Sequence, residues 1–120
     1  MTRLLVHVEG QTEETFVNEV LSEHLILRGY TSVSARLVGN ARQRERRGGI
    51  KAWSAVRDDI VRHLKSDLGC ISTTMVDYYA LPATGPKAWP GRAAANALPH
   101  AQKADAVESQ IAHDISTVLE

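Results

Sequence analysis

The feature that most limits what this chain can become is the run Leu4 to Val8, LLVHV, closed by Glu9 and Gly10. A nearly unbroken apolar run of five suits a central parallel strand, which is covered on both faces and has no solvent side to alternate with. Gly10 and Gln11 then read as a turn. Thr12 is placed to cap a helix whose first turn carries Glu13 and Glu14, where the helix dipole favours negative charge. Phe16, Val17, Val20, Leu21, His24 and Leu25 share one face of that helix, and Gly29 suits the position after its last turn.

Thr31 to Val38 reads as a second strand, loosely alternating and rich in β-branched residues. Gly39 to Gly49 reads as a basic loop. A second helix follows from Ile50 to Ser66, with Trp53, Val56, Ile60 and Leu64 as its buried stripe. Cys70 to Val76 is a third strand, bounded by Asp77, Tyr78 and Tyr79. Residues 80–100 hold all four prolines and form a long irregular loop, a kind of segment that is usually functional. A third helix spans Ala101 to Leu119, with Ala104, Val107, Ile111, Ile115 and Val118 as its stripe. This order predicts one α/β domain over residues 1–120, built on a parallel sheet with crossover helices. Three strands are few for three helices, so a fourth strand is the natural next element, and the chain reads as stopping short of it.

Lys plus Arg and Asp plus Glu number 14 each. Zero net charge excludes a globally basic nucleic-acid binder but not a local basic patch. The charge is sorted along the chain: five acids and two bases up to Ala35, then nine bases and three acids from Arg36 to Lys65. The single cysteine, Cys70, forms no internal disulfide and no cysteine zinc cluster, which fits a reducing cytoplasm. No secretory leader and no membrane-length apolar run is visible. These features predict a cytoplasmic protein without a membrane partner.

In open parallel sheets, ligands bind beyond the carboxyl ends of the strands. Glu9 ends the first strand, Glu13 lies in the first turn of the helix after it, and Asp77 ends the third strand. The three converge only if strand one lies beside strand three, which requires the order 2-1-3. Two carboxylates ~5 Å apart repel by about 3 kcal/mol at an effective dielectric near 20. A divalent cation relieves that repulsion, and Mg²⁺ (or Mn²⁺) takes a few carboxylates, water and a substrate phosphate. Gly10 admits backbone N–H groups close to a phosphate. Arg42, Arg44, Arg46 and Arg47, in NARQRERRGG, add planar forks that match phosphate oxygens. Four such contacts to DNA or RNA give a salt slope of roughly −3.6. Plainer readings stand beside these. Glu13 and Glu14 also serve the helix N-terminus, Asp77 suits a turn, and the arginines suit a solvated loop.

VEGQTE together with TTMVDYY resembles the Toprim domain shared by topoisomerases, primases and overcoming-lysogenization-defect (OLD-type) nucleases. More narrowly, VEGQTEE, RRGGIKAW, TTMVDYYALP, WPG and the closing helix are similar, in order and over almost the whole chain, to a bacterial Toprim-like family catalogued as domain of unknown function 4276. The resemblance implies a Toprim/Rossmann-like three-layer α/β/α fold. It implies Glu9 as metal ligand or general acid/base, Glu13 as the extra acid of a nuclease-like variant, and Asp77 as the first aspartate of an Asp-x-Asp motif. The expected activity is Mg²⁺-dependent phosphodiester processing on nucleic acid, with an ATPase as partner protein and a defence or DNA-repair setting. Tyr79 stands where that motif has its second aspartate. The alternative is therefore a non-catalytic nucleic-acid or protein binding module.

The remaining chemistry-bearing residues read as structural. His7, His24, His63, His100 and His113 show no zinc-ligand spacing, and His7 in its apolar strand reads as a satisfied interior residue. Trp53 and Cys70 read as core, Trp89 as the anchor of the long loop, and Tyr78 and Tyr79 as packing residues.

Overall fold

A computed structural model describes residues 2–38 and 52–119. Three strands, β1 (Arg3–Val8), β2 (Ser32–Leu37) and β3 (Cys70–Met75), form one parallel sheet in the order β2-β1-β3. Val8 pairs with Leu37 on one side and Met75 on the other, so all three strands end at one edge. This is the α/β arrangement and strand order that the sequence predicts.

The first helix, α1 (11–26), is α-helical over Gln11–Phe16 and Ser22–Ile26 with a π-helical turn, Val17–Leu21, between them. Its N-cap is Gly10, not Thr12, and no side chain caps it; the first helical bond runs from Glu14 N–H to the Gly10 carbonyl at 3.1 Å. Its C-terminus closes as expected at Gly29, where φ is 114°. The Tyr30 N–H reaches the Leu25 carbonyl and the Gly29 N–H reaches that of Ile26, both at 3.1 Å, which is a Schellman closure.

Leu4, Val6 and Val8 alternate to the sheet face covered by α1 and pack with Val17 and Val33. The stripe is narrower than the periodicity suggests, since Phe16, Val20 and His24 are exposed. α1 lies over β1 and β2, and Ile71 on β3 stays exposed.

The opposite face carries α2 (Trp53–Ser66), α3 (Arg92–Ala95) and α4 (His100–Leu119). Trp53, Val56 and Ile60 of α2 pack with Leu81, Trp89, Ala95 and Val107 in a second core. On α4 only Val107 is buried; Ala104 and Val118 are exposed. The proline-rich segment is therefore part of the core. Trp89 lies against Trp53 with ring centroids 5.0 Å apart, and Trp53 Nε1 donates to Asp114 on α4 at 2.6 Å. Gly91 holds φ 75°, and a Cβ there would meet Gln110 Cγ at 2.9 Å, so α3 docks on α4 only through a glycine. Cys70 is half-buried and not core. At the amino-terminal edge of the sheet Arg3 pairs with Asp67, the residue that ends α2. That pairing raises the Arg3 pKa and lowers that of Asp67, chiefly through the side-chain hydrogen bond. No helix among the described residues is long and apolar enough to cross a membrane.

Candidate functional site

The carboxyl edge of the sheet gathers part of the acidic set. β1 and β3 are neighbours, so Glu9, one residue past β1, comes beside Asp77, two residues past β3. Glu9 Oε1 accepts the Asp77 backbone N–H at 2.9 Å. The Asp77 carboxylate turns forward: its Oδ1 accepts the Tyr79 N–H at 3.1 Å and caps the short 3-10 turn Tyr78–Ala80. The aspartate thus does build a turn, as its residue type suggests. Among the described residues, Glu9 Oε2 and Asp77 Oδ2 take no hydrogen bond.

Glu13 folds back over the start of α1. A Cβ added to Gly10 would meet Glu13 Oε1 at 3.1 Å, so the glycine gives that carboxylate room. Glu9 and Glu13 are half-buried, Asp77 is exposed, and Glu14 is half-buried on the turn next to Glu13. Tyr79, at the second-aspartate position, is exposed, and its hydroxyl meets His100 Nδ1 at 3.2 Å. Tyr78 packs under Arg92, whose guanidinium sits 4.3 Å from the ring centroid. Arg42, Arg44, Arg46 and Arg47 lie outside the described residues.

A second polar group lies inside the protein, between β1 and α2. Among the described residues, His7, Asp59 and His63 are the three whose donor atoms all come within 4.8 Å of one another. His7 is fully buried and Asp59 is 4% exposed. His7 Nδ1 meets the Thr73 carbonyl at 3.3 Å and the Ser72 hydroxyl at 3.1 Å, whereas Nε2 has no hydrogen-bond partner among the described residues. His7 is thus not the satisfied interior residue expected from its strand. Asp59 Oδ2 is likewise buried without a hydrogen bond among the described residues and faces Arg36 at 3.7 Å, while Oδ1 accepts from Arg62 at 3.1 Å. Burial lowers the His7 pKa below 6.5, against smaller raising effects from the Thr73 carbonyl and Asp59. Sequence spacing did carry a signal for this group: Asp59 and His63 stand four apart on one helix, and an aspartate breaks the apolar stripe between Val56 and Ile60. Only the pairing of α2 with His7 is invisible without the fold.

Fold and edge together define a parallel α/β domain with acidic residues where adjacent strands end, although the Glu9, Glu13 and Asp77 carboxylates do not form a group within 4.8 Å of one another. Residues 8–119 match the family described as Domain of unknown function (DUF4276), and the chain belongs to that family. No curated protein and no solved structure matches it significantly.

Proposed function

We propose that the chain is a Toprim-like, metal-dependent phosphodiester-processing domain that acts on DNA or RNA in the cytoplasm. The observation that carries this reading is the Glu9–Asp77 contact, which sets two acids from neighbouring strands at the carboxyl edge. Their oxygen donors suit Mg²⁺ or Mn²⁺, which needs only a few protein carboxylates and fills its remaining positions with water and phosphate. Glu9 and Asp77 would hold the ion, with Glu13 completing the set across Gly10. When bound, such an ion lowers the pKa of a water and stabilises charge on a phosphoryl oxygen. Glu9 would serve either as a ligand of the ion or as the base for that water. Its bond to the Asp77 N–H fixes the orientation of its carboxylate. Gly10 and Arg42, Arg44, Arg46 and Arg47 would hold the backbone phosphates, and an ATPase partner in a defence or repair system fits the same reading.

A second reading is a non-catalytic binding module. It is favoured by Tyr79 in place of a second acid and by the commitment of Asp77 Oδ1 to the Tyr79 N–H. Incubation of the full chain with plasmid and single-stranded DNA, in Mg²⁺ or Mn²⁺, separates the two. Metal-dependent cleavage that Glu9→Gln abolishes supports the enzyme. Salt-sensitive binding without cleavage supports the module.

A further inference from the structure

We propose that His7, Asp59 and His63 form a second, interior site for a transition-metal dication of the zinc type, separate from the carboxylate edge. The three come from two elements that pack face to face. His7 sits in the central strand, and Asp59 and His63 lie one turn apart on α2. Their donor atoms lie within 4.8 Å of one another. Bond lengths of roughly 2.0–2.1 Å to zinc put tetrahedral ligands about 3.3 Å apart. Small rotations of the two helix side chains close that difference.

The hydrogen bonds fix what each residue offers. A carbonyl oxygen only accepts, so with Nδ1 donating to Thr73 and the Ser72 hydroxyl as a second acceptor, His7 Nε2 keeps its lone pair; this is the tautomer the site requires. His63 Nδ1 likewise donates to the Asp59 carbonyl at 2.7 Å, which leaves Nε2 as an acceptor. An imidazole held at one nitrogen by a carbonyl, with the other nitrogen free, is the outer-shell pattern of a metal-binding histidine. His7 Nε2 and Asp59 Oδ2 are both buried and both lack a hydrogen-bond partner. The one hydrogen donated within the cluster runs from His63 Nδ1 to the Asp59 main-chain carbonyl, and Nδ1 also lies 4.0 Å from Asp59 Oδ1, so the His63 ring must turn to bring Nε2 to an ion. Two imidazoles and one carboxylate suit zinc and its neighbours in the first transition row rather than Mg²⁺. With three protein ligands, a fourth position stays open for water or a small ligand.

Arg36 and Arg62 neutralise Asp59 without a metal. Their side chains are 47% and 67% exposed, so both can withdraw into water when a dication arrives. The arginines are therefore competitors of the ion. Access exists at the partly exposed His63 and at Ser72, which also lines an open cleft of about 460 Å³ between α2, β3 and α4.

Titration of the full chain with Zn²⁺ by calorimetry, and with Co²⁺ by visible absorption, tests the site without reference to nuclease activity. One ion per chain is expected, with a Co²⁺ spectrum of low coordination number. His63→Ala and Asp59→Asn should each weaken binding at least tenfold, and Arg36→Gln should strengthen it several-fold. Binding unchanged in both His63→Ala and Asp59→Asn would assign the ion to surface histidines and overturn the site. Weaker binding in Arg36→Gln would overturn the competition with arginine.

Discussion

The two faces of the central strand are built on opposite principles. Toward α1, Leu4, Val6 and Val8 meet Val17 and Val33 in an all-apolar layer. Toward α2, His7 meets Asp59 and His63, and the apolar contacts of α2 are made with Trp89, Leu81 and Val107 instead. A parallel strand covered on both sides normally buries apolar residues on both. Leaving a buried polar atom unpaired costs about 1–3 kcal/mol. One face of β1 therefore serves stability, while the other carries a cost that packing does not explain. Glu9 ends the same strand, so polar chemistry occupies one face of β1 and its carboxyl end.

The largest expected effect breaks the apolar face. Val6→Asp puts an unpaired carboxylate where Val6 is 2% exposed, and should cost on the order of 4–5 kcal/mol. That is most of the ~5–15 kcal/mol by which domains are typically stable, so loss of the cooperative urea transition is the expected readout. Next comes the layer outside α2. Gly91→Ala forces a side chain into left-handed backbone against Gln110, and should lower stability by about 1–3 kcal/mol in the same measurement.

The polar face should respond in the opposite sense. Asp59→Leu removes a buried carboxylate whose arginine partners reach water. Metal-free stability should then stay within about 1 kcal/mol of wild type or rise. A loss as large as that of Val6→Asp would erase the distinction between the faces. The smallest effect is one of pH. His7 has its pKa lowered by burial, so between that value and 6.5 the unfolded chain binds more protons than the folded one. Its contribution is complete above pH 6.5 and is lost as pH falls through the folded value. Urea midpoints at pH 7.5 and 5.5 should converge in His7→Leu relative to wild type.

The apolar face was legible in the sequence, whereas of the polar one only the Asp59–His63 spacing was. LLVHV, the second and third strand runs and Gly29 announce a parallel sheet and its first crossover by local pattern alone. The order 2-1-3 follows from asking that Glu9 and Asp77 meet, and the structure has that order. Thr12 misleads because it fits a cap by residue type, whereas Gly10 takes the position two residues earlier. The buried stripes of α1 and α4 are narrower than their periodicity suggests, because each helix meets its neighbour along a narrow seam. His7 and His63 are 56 residues apart, and no spacing rule joins them. Their meeting is a tertiary fact. The turn of the Asp77 carboxylate toward Tyr79 is likewise set by the 3-10 turn that follows it.

The central claim is that the carboxyl edge, through Glu9, carries the chemistry. Its most direct test is the rate of Mg²⁺-dependent DNA cleavage by wild type, Glu9→Gln and Glu14→Gln, the last a neighbouring acid with no role in the proposed metal set. The account predicts a loss of at least about a hundredfold in Glu9→Gln and near-wild-type rates in Glu14→Gln. Equal rates in Glu9→Gln and wild type would contradict it.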